Sequence, residues 1–149
     1  MTFKEQVYKQ CMELLNNKVD VLRQALNDLK ESASNETKST AGDKHETALA
    51  MLQIEQENTN KQLENLLSQK LLLQKLIPTV TAKRVANGAL VKTNRGYLFL
   101  SIALGKITVN GITVIALSPQ SPLGSKLMGI NKTESISMNG TTYFIESIE

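Results

Sequence analysis

The chain has 149 residues, of which 41% are hydrophobic and 21% charged, with three Phe, three Tyr and no Trp. That size and mixture suit one compact domain or two small elements, and so few aromatics limit any single large core. A lone cysteine, Cys11, excludes an intrachain disulfide, and no apolar run approaches the ~20 residues that a membrane span needs.

The N-terminus is polar and amphipathic and does not resemble a signal peptide. The expectation is a cytoplasmic protein with no membrane partner. The net charge of +3 is unevenly spread. Up to Ile77 there are 10 Lys/Arg and 11 Asp/Glu; from Pro78 onward there are 7 and 3. The basic C-terminal part fits an acidic partner surface, or equally a solvated basic face.

From Phe3 to Ala33 there is neither Pro nor Gly. Tyr8, Cys11, Leu15, Val19, Leu22, Leu26, Leu29 and Ala33 recur at spacings of three and four, which predicts one continuous helical face. Phe3 to Glu36 reads as an outgoing helix, an arm of roughly 45–50 Å at helical rise. One apolar stripe needs a partner. Ser32 to Gly42 is small, polar and rich in side chains that compete with helix, so it reads as helix end and turn.

A second helical run opens at Asp43 and extends to Leu76. Leu49, Leu52, Leu63, Leu66 and Leu73 keep one register, with Gln56 and Thr59 weakening its middle. Leu66, Leu67, Leu71, Leu72, Leu73, Leu76 and Ile77 predict a dense apolar root. Residues 1–77 are therefore expected to form an antiparallel α-helical coiled-coil hairpin, with its tip at about 37–46.

Pro78 ends the helix and the period changes. Ala89–Val91, Tyr97–Leu100, Ile107–Val109 and Ile112–Leu117 are short β-type runs, and Asn110-Gly111 between two of them signals a hairpin. Pro119 and Pro122, then Leu123, Leu127 and Met128, predict a loop leading into one short helix. Ser135–Met138, Asn139-Gly140 and Thr142–Ile145 predict a closing hairpin. Residues 78–149 are expected to be a small domain on an antiparallel sheet, making the whole chain α+β.

Two stretches carry a resemblance. Ser118-Pro-Gln-Ser-Pro-Leu-Gly-Ser-Lys-Leu-Met-Gly129 resembles the Ser-Pro-x-Ser-Pro segment of the bacterial Gre transcript-cleavage factors, and Tyr143–Ile148 resembles the last strand of their C-terminal domain. Gly42, Asp43, Glu46, Glu55 and Gln56 fall where that family has its hairpin-tip acids and a Glu-Gln pair. The resemblance implies an FKBP-like C-terminal domain. It implies a monomeric, non-enzymatic transcription elongation factor that binds bacterial RNA polymerase, on its DNA template, through the secondary channel.

In that family the tip acids, here Asp43 and Glu46, help hold a second Mg²⁺ at the polymerase active site, which then cleaves backtracked RNA near its 3′ end. The protein needs no cofactor of its own. Ser118, Pro119, Ser121, Pro122, Leu123 and Gly124 are the implied partner-binding residues.

This chain departs from the family pattern at Lys44, Thr47, Leu49-Ala50 and Asn131–Glu134, the last standing where the family has Gly-Asp before the penultimate strand. Three readings stay open: a cleavage-assisting factor, a secondary-channel plug or inhibitor, and a coiled-coil adaptor unrelated to transcription.

The residues also have plainer explanations. Asp-x-x-Glu at a helix start is a capping box. His45 with Asp43 and Glu46 would make only a weak metal site, being three ligands crowded into one turn. Tyr97, Phe99, Tyr143 and Phe144 are too few for the aromatic pocket of a prolyl isomerase. Lys83, Arg84, Lys92 and Arg95 suit an acidic protein surface at least as well as nucleic acid.

Overall fold

The structure, a computed structural model, describes residues 1–38 and 43–149, with side chains described outside 36–45. The fold is α+β. Helices α1 (Phe3–Lys38) and α2 (Asp43–Gln74) pack against each other as an antiparallel pair, and strands with one short helix follow. The chain gathers into two compact units, Leu14–Lys70 on the one hand and Met1–Glu13 with Leu71–Glu149 on the other. The first turns of α1 and the last of α2 thus fold with the strands.

A reciprocal capping box starts α1. Glu5 N–H donates to Thr2 Oγ1 (3.2 Å) and Thr2 N–H donates to Glu5 Oε2 (2.9 Å). Cys11, Leu15, Val19 and Leu26 are buried and Leu22 and Leu29 half-buried, as the spacing predicts. Val7, four residues before Cys11, is fully buried as well, whereas Tyr8 is half-buried.

On α2 the inward face is Leu49, Leu52, Gln56, Thr59, Leu63, Leu66 and Leu73, half-buried except for the fully buried Leu73. Thr59 meets its own hydroxyl's need by donating to Glu55 O (2.8 Å).

Two expectations for the end of α2 are corrected. The helix stops at Gln74 rather than Leu76. Leu76 N–H already bonds Leu73 O in a tighter turn (3.0 Å), and Pro78 disfavours helical backbone at Ile77. Nor is the apolar root dense. Leu71, Leu72 and Ile77 are 60%, 54% and 63% exposed beside the buried Leu73. At about 100° of rotation per residue, only one of three consecutive leucines can face inward.

Six strands form one sheet among the described residues: β1 (Leu90–Thr93), β2 (Gly96–Leu100), β3 (Gly105–Val109), β4 (Ile112–Leu117), β5 (Ser135–Met138) and β6 (Thr141–Ile148), in the order β3-β4-β2-β1-β6-β5. Helix α3 (Pro122–Leu127) lies between β4 and β5 in the chain. The expected antiparallel sheet needs one correction, because β2 and β4 pair in parallel. The chain leaves β2, runs to the sheet edge as β3 and returns as β4. Two reversals leave β4 pointing the same way as β2.

The Asn-Gly turns sit where predicted. Asn110 and Gly111 have φ of 51° and 76°, and Asn139 and Gly140 have 51° and 78°, the left-handed pair that a two-residue hairpin requires.

Both sheet faces are apolar. Val91, Leu98, Leu100, Leu117 and Ile145 form one core with Val85, Ala89 and Leu127 of α3. Leu90, Phe99, Val114 and Ala116 are buried on the other face, where register sets Leu90 opposite Phe99 and Phe99 opposite Ala116. The start of α1 reaches this second face. The Phe3 ring meets Tyr97 edge-on at 5.0 Å, and Asn110 Nδ2 donates to Gln6 Oε1 (2.6 Å).

Leu73→Ala is expected to cost about 2–5 kcal/mol, and Leu72→Ala less than about 0.5 kcal/mol. Chemical denaturation of the two variants checks this.

Candidate functional site

Asp43 and Glu46 belong to one compact unit and the Ser-Pro segment to the other. Asp43 opens α2, but its side chain lies outside the described residues, as do those of Lys44 and His45, and Gly42 lies outside them altogether. Glu46 is exposed on the first turn of α2. Among the described residues, no group of three or more His, Cys, Asp and Glu could hold a metal ion; the Asp43–His45–Glu46 trio falls outside that set. Glu55 is exposed and Gln56 turns inward, so this pair does not share a face.

The Ser-Pro segment is a compact helix start. Ser121 caps α3, its Oγ accepting from Gly124 N–H (3.0 Å) and donating to Ser118 O (2.6 Å). Ser118 Oγ accepts from Gln120 N–H (3.1 Å), and Ser125 Oγ donates to Pro119 O (3.3 Å). Pro122 occupies the first helical turn, where its missing N–H is not needed.

Gly124 is obligatory in this packing, since a Cβ there would collide with Ser118 O and crowd Ser121 Oγ. Leu123 packs against the core and Leu127 is fully buried. Of the six residues expected to contact a partner, only Pro122 is exposed; Gly124 is buried, and Ser118, Pro119, Ser121 and Leu123 are half-buried. Each feature of the motif has a role in folding.

The Asn131–Glu134 segment is a turn that sequence reasoning left undetailed. Asn131 N–H donates to Glu134 Oε1 (3.2 Å), Glu134 N–H to Asn131 O (3.2 Å), and Thr133 N–H to Ile145 O (2.9 Å). Thr133 holds φ at 74°, an unfavourable conformation for a β-branched residue.

One burial was not foreseen. Lys4 is buried, and its Nζ donates to Val80 O (2.6 Å). Desolvation lowers its pKa from the usual 10.5, with Glu149 pulling the other way. The run around Lys4 reads as an ordinary amphipathic helix, so no local pattern announces this burial. Cys11 is buried, and desolvation pushes its thiol up to about 12, far from a reactive thiolate.

The basic residues Lys83, Arg84, Lys92 and Arg95 are all exposed. Lys92 Nζ stands 5.9 Å from the Tyr97 ring centroid. Among the described residues, no helix is long and apolar enough to cross a membrane. No protein-family model matches the chain, and no curated protein matches it closely enough to count as a relative.

Two substitutions test these assignments through stability. Gly124→Ala should cost about 2 kcal/mol or more, because backbone must move to admit the methyl. Thr133→Gly should do the reverse and raise stability by about 1 kcal/mol, since relief of the strained φ exceeds the added chain entropy. Thermal melts of both variants give the answer.

Proposed function

We propose that the chain acts on bacterial RNA polymerase as a Gre-like factor, entering the secondary channel with its helical pair and bringing Asp43 and Glu46 to the polymerase's catalytic centre. The observation that carries this reading is the order and build of the parts. Two antiparallel helices, the second opening at Asp43, precede a sheet unit in which Ser118–Gly124 forms a tightly bonded helix start. Asn131–Glu134, which stands before β5 in place of the family's Gly-Asp, remains a departure from the pattern.

The tip residues suit the role chemically. Mg²⁺ prefers carboxylate oxygens and keeps several waters, so one or two added ligands suffice in a shared site. When bound, such an ion orients and activates the attacking water in phosphoryl chemistry. The chain's own contribution is anionic oxygen: Glu46 is exposed, and Asp43 lies three positions earlier, a spacing that places both on one side of a helix start. Hydrolysis itself remains the polymerase's.

A second reading has one observation in its favour. Lys44 places a cation directly after Asp43, which would weaken the pull on a metal ion and suit a plug that blocks the channel without promoting cleavage.

RNA shortening by stalled, backtracked elongation complexes separates the two. The proposed role predicts Mg²⁺-dependent shortening with the wild type, and a loss on the order of tenfold to a hundredfold with Asp43→Ala or Glu46→Ala. Equal shortening by all three proteins removes the acids from the mechanism. Binding without any Mg²⁺-dependent gain leaves the plug.

A further inference from the structure

The Ser-Pro segment spends its polar groups on its own fold, so a gripping surface must be sought elsewhere in the sheet unit. Alternation along the strands points to one. Tyr143 and Ile145 of β6 face the core shared with α3, which turns Phe144 between them to the opposite face. Lys92 of β1 lies between the buried Val91 and Thr93 and turns the same way. The start of α1 covers this face at Tyr97, whereas Phe144 is 44% exposed.

The region is rigidly held. Asn94, in the turn after β1, accepts from Phe144 N–H through Oδ1 (2.7 Å). Its Nδ2 donates to Thr142 O (3.3 Å), and its backbone N–H to Phe144 O (3.2 Å). Three bonds thus lock the turn carrying the exposed Arg95 against the strand carrying the exposed Phe144.

We propose that Phe144, Lys92 and Arg95 form a docking surface for an acidic protein segment bearing an apolar side chain. An exposed aromatic on a preorganised backbone, flanked by cations, is the chemistry of an interface anchor. Charge complementarity selects an acidic partner. The unit formed by Met1–Glu13 and Leu71–Glu149 carries 10 Lys/Arg against 5 Asp/Glu. Glu146 on β6 is the nearest opposing charge along the strand, and it sits at the bulge where the β1–β6 register shifts.

Single-stranded nucleic acid fits less well, because successive bases need several exposed rings. Here the strand aromatics that share this face are not free to stack, since Phe99 is buried and Tyr97 is already engaged by Phe3 and Lys92. In the setting of the proposed function, on which this inference rests for its physiological partner, the segment belongs to the polymerase surface.

The experiment measures the binding of labelled full-length wild type, Phe144→Ala and Arg95→Glu to purified bacterial RNA polymerase. The same proteins are tested against a copolymer of glutamate and tyrosine and against oligothymidylate, with a thermal melt of each. The expected result is binding to polymerase and copolymer that falls roughly tenfold or more in both variants at unchanged melting temperature. Equal binding by all three proteins overturns the surface.

Tighter binding to oligothymidylate than to the copolymer overturns it in favour of nucleic acid. If the wild type ignores polymerase, the proposed function fails by itself, and the copolymer decides the surface: loss in both variants upholds it, and no loss rejects it.

Discussion

A sheet with two apolar faces has to be covered twice, and the strand region supplies only one short helix, α3, between β4 and β5. α3 spans six residues and closes the face built on Val91, Leu98 and Leu100. The other face, with Leu90, Phe99 and Val114, is met by the first residues of the chain. That requirement explains why Met1–Glu13 and the last turn of α2 belong to the sheet's compact unit. It also accounts for the buried Lys4. A helix that must lay its first turns on the sheet takes this ammonium out of water, and the charge-assisted bond to Val80 O offsets part of the desolvation cost.

Periodic features were legible in the sequence. The α1 stripe, the α2 register and the two Asn-Gly turns depend on local spacing, and the structure places them as read. Features set by distant partners were not. Nothing near Leu71-Leu72-Leu73 says which leucine faces inward; that choice is made by the phase of α2 as a whole. The parallel pairing of β2 with β4 follows from where β3 goes, which no strand's own residues encode. Asn94 reads as a plain turn residue, yet its side chain bonds a strand some fifty positions away. Of the candidate site, the acids at Asp43 and Glu46 were visible as spacing, and the Ser-Pro segment as a motif.

A motif can persist because it folds rather than because it binds. Ser121, Pro122 and Gly124 are each explained by the start of α3: a cap, a first-turn proline and a close approach to Ser118 O. A family resemblance in these residues therefore speaks first to architecture. Thr133 carries different weight, because its left-handed backbone is costly for threonine, yet as the third residue of the Asn131–Glu134 turn it has to adopt it. A threonine held in such a conformation points to a turn geometry fixed by the surrounding strands, as the Thr133 N–H bond to Ile145 O shows.

Charge separates the two units in a way that bears on partners. Leu14–Lys70 has nine Asp/Glu against seven Lys/Arg, while the sheet unit is net basic by five. Screening at physiological salt limits each field to about 8 Å, so neither unit's charge reaches far beyond its own surface. The two units must then be recognised separately. A single uniform partner surface would favour one unit and oppose the other. A partner that offers an acidic surface to the sheet unit and a cationic one to the acids of Leu14–Lys70 would satisfy both.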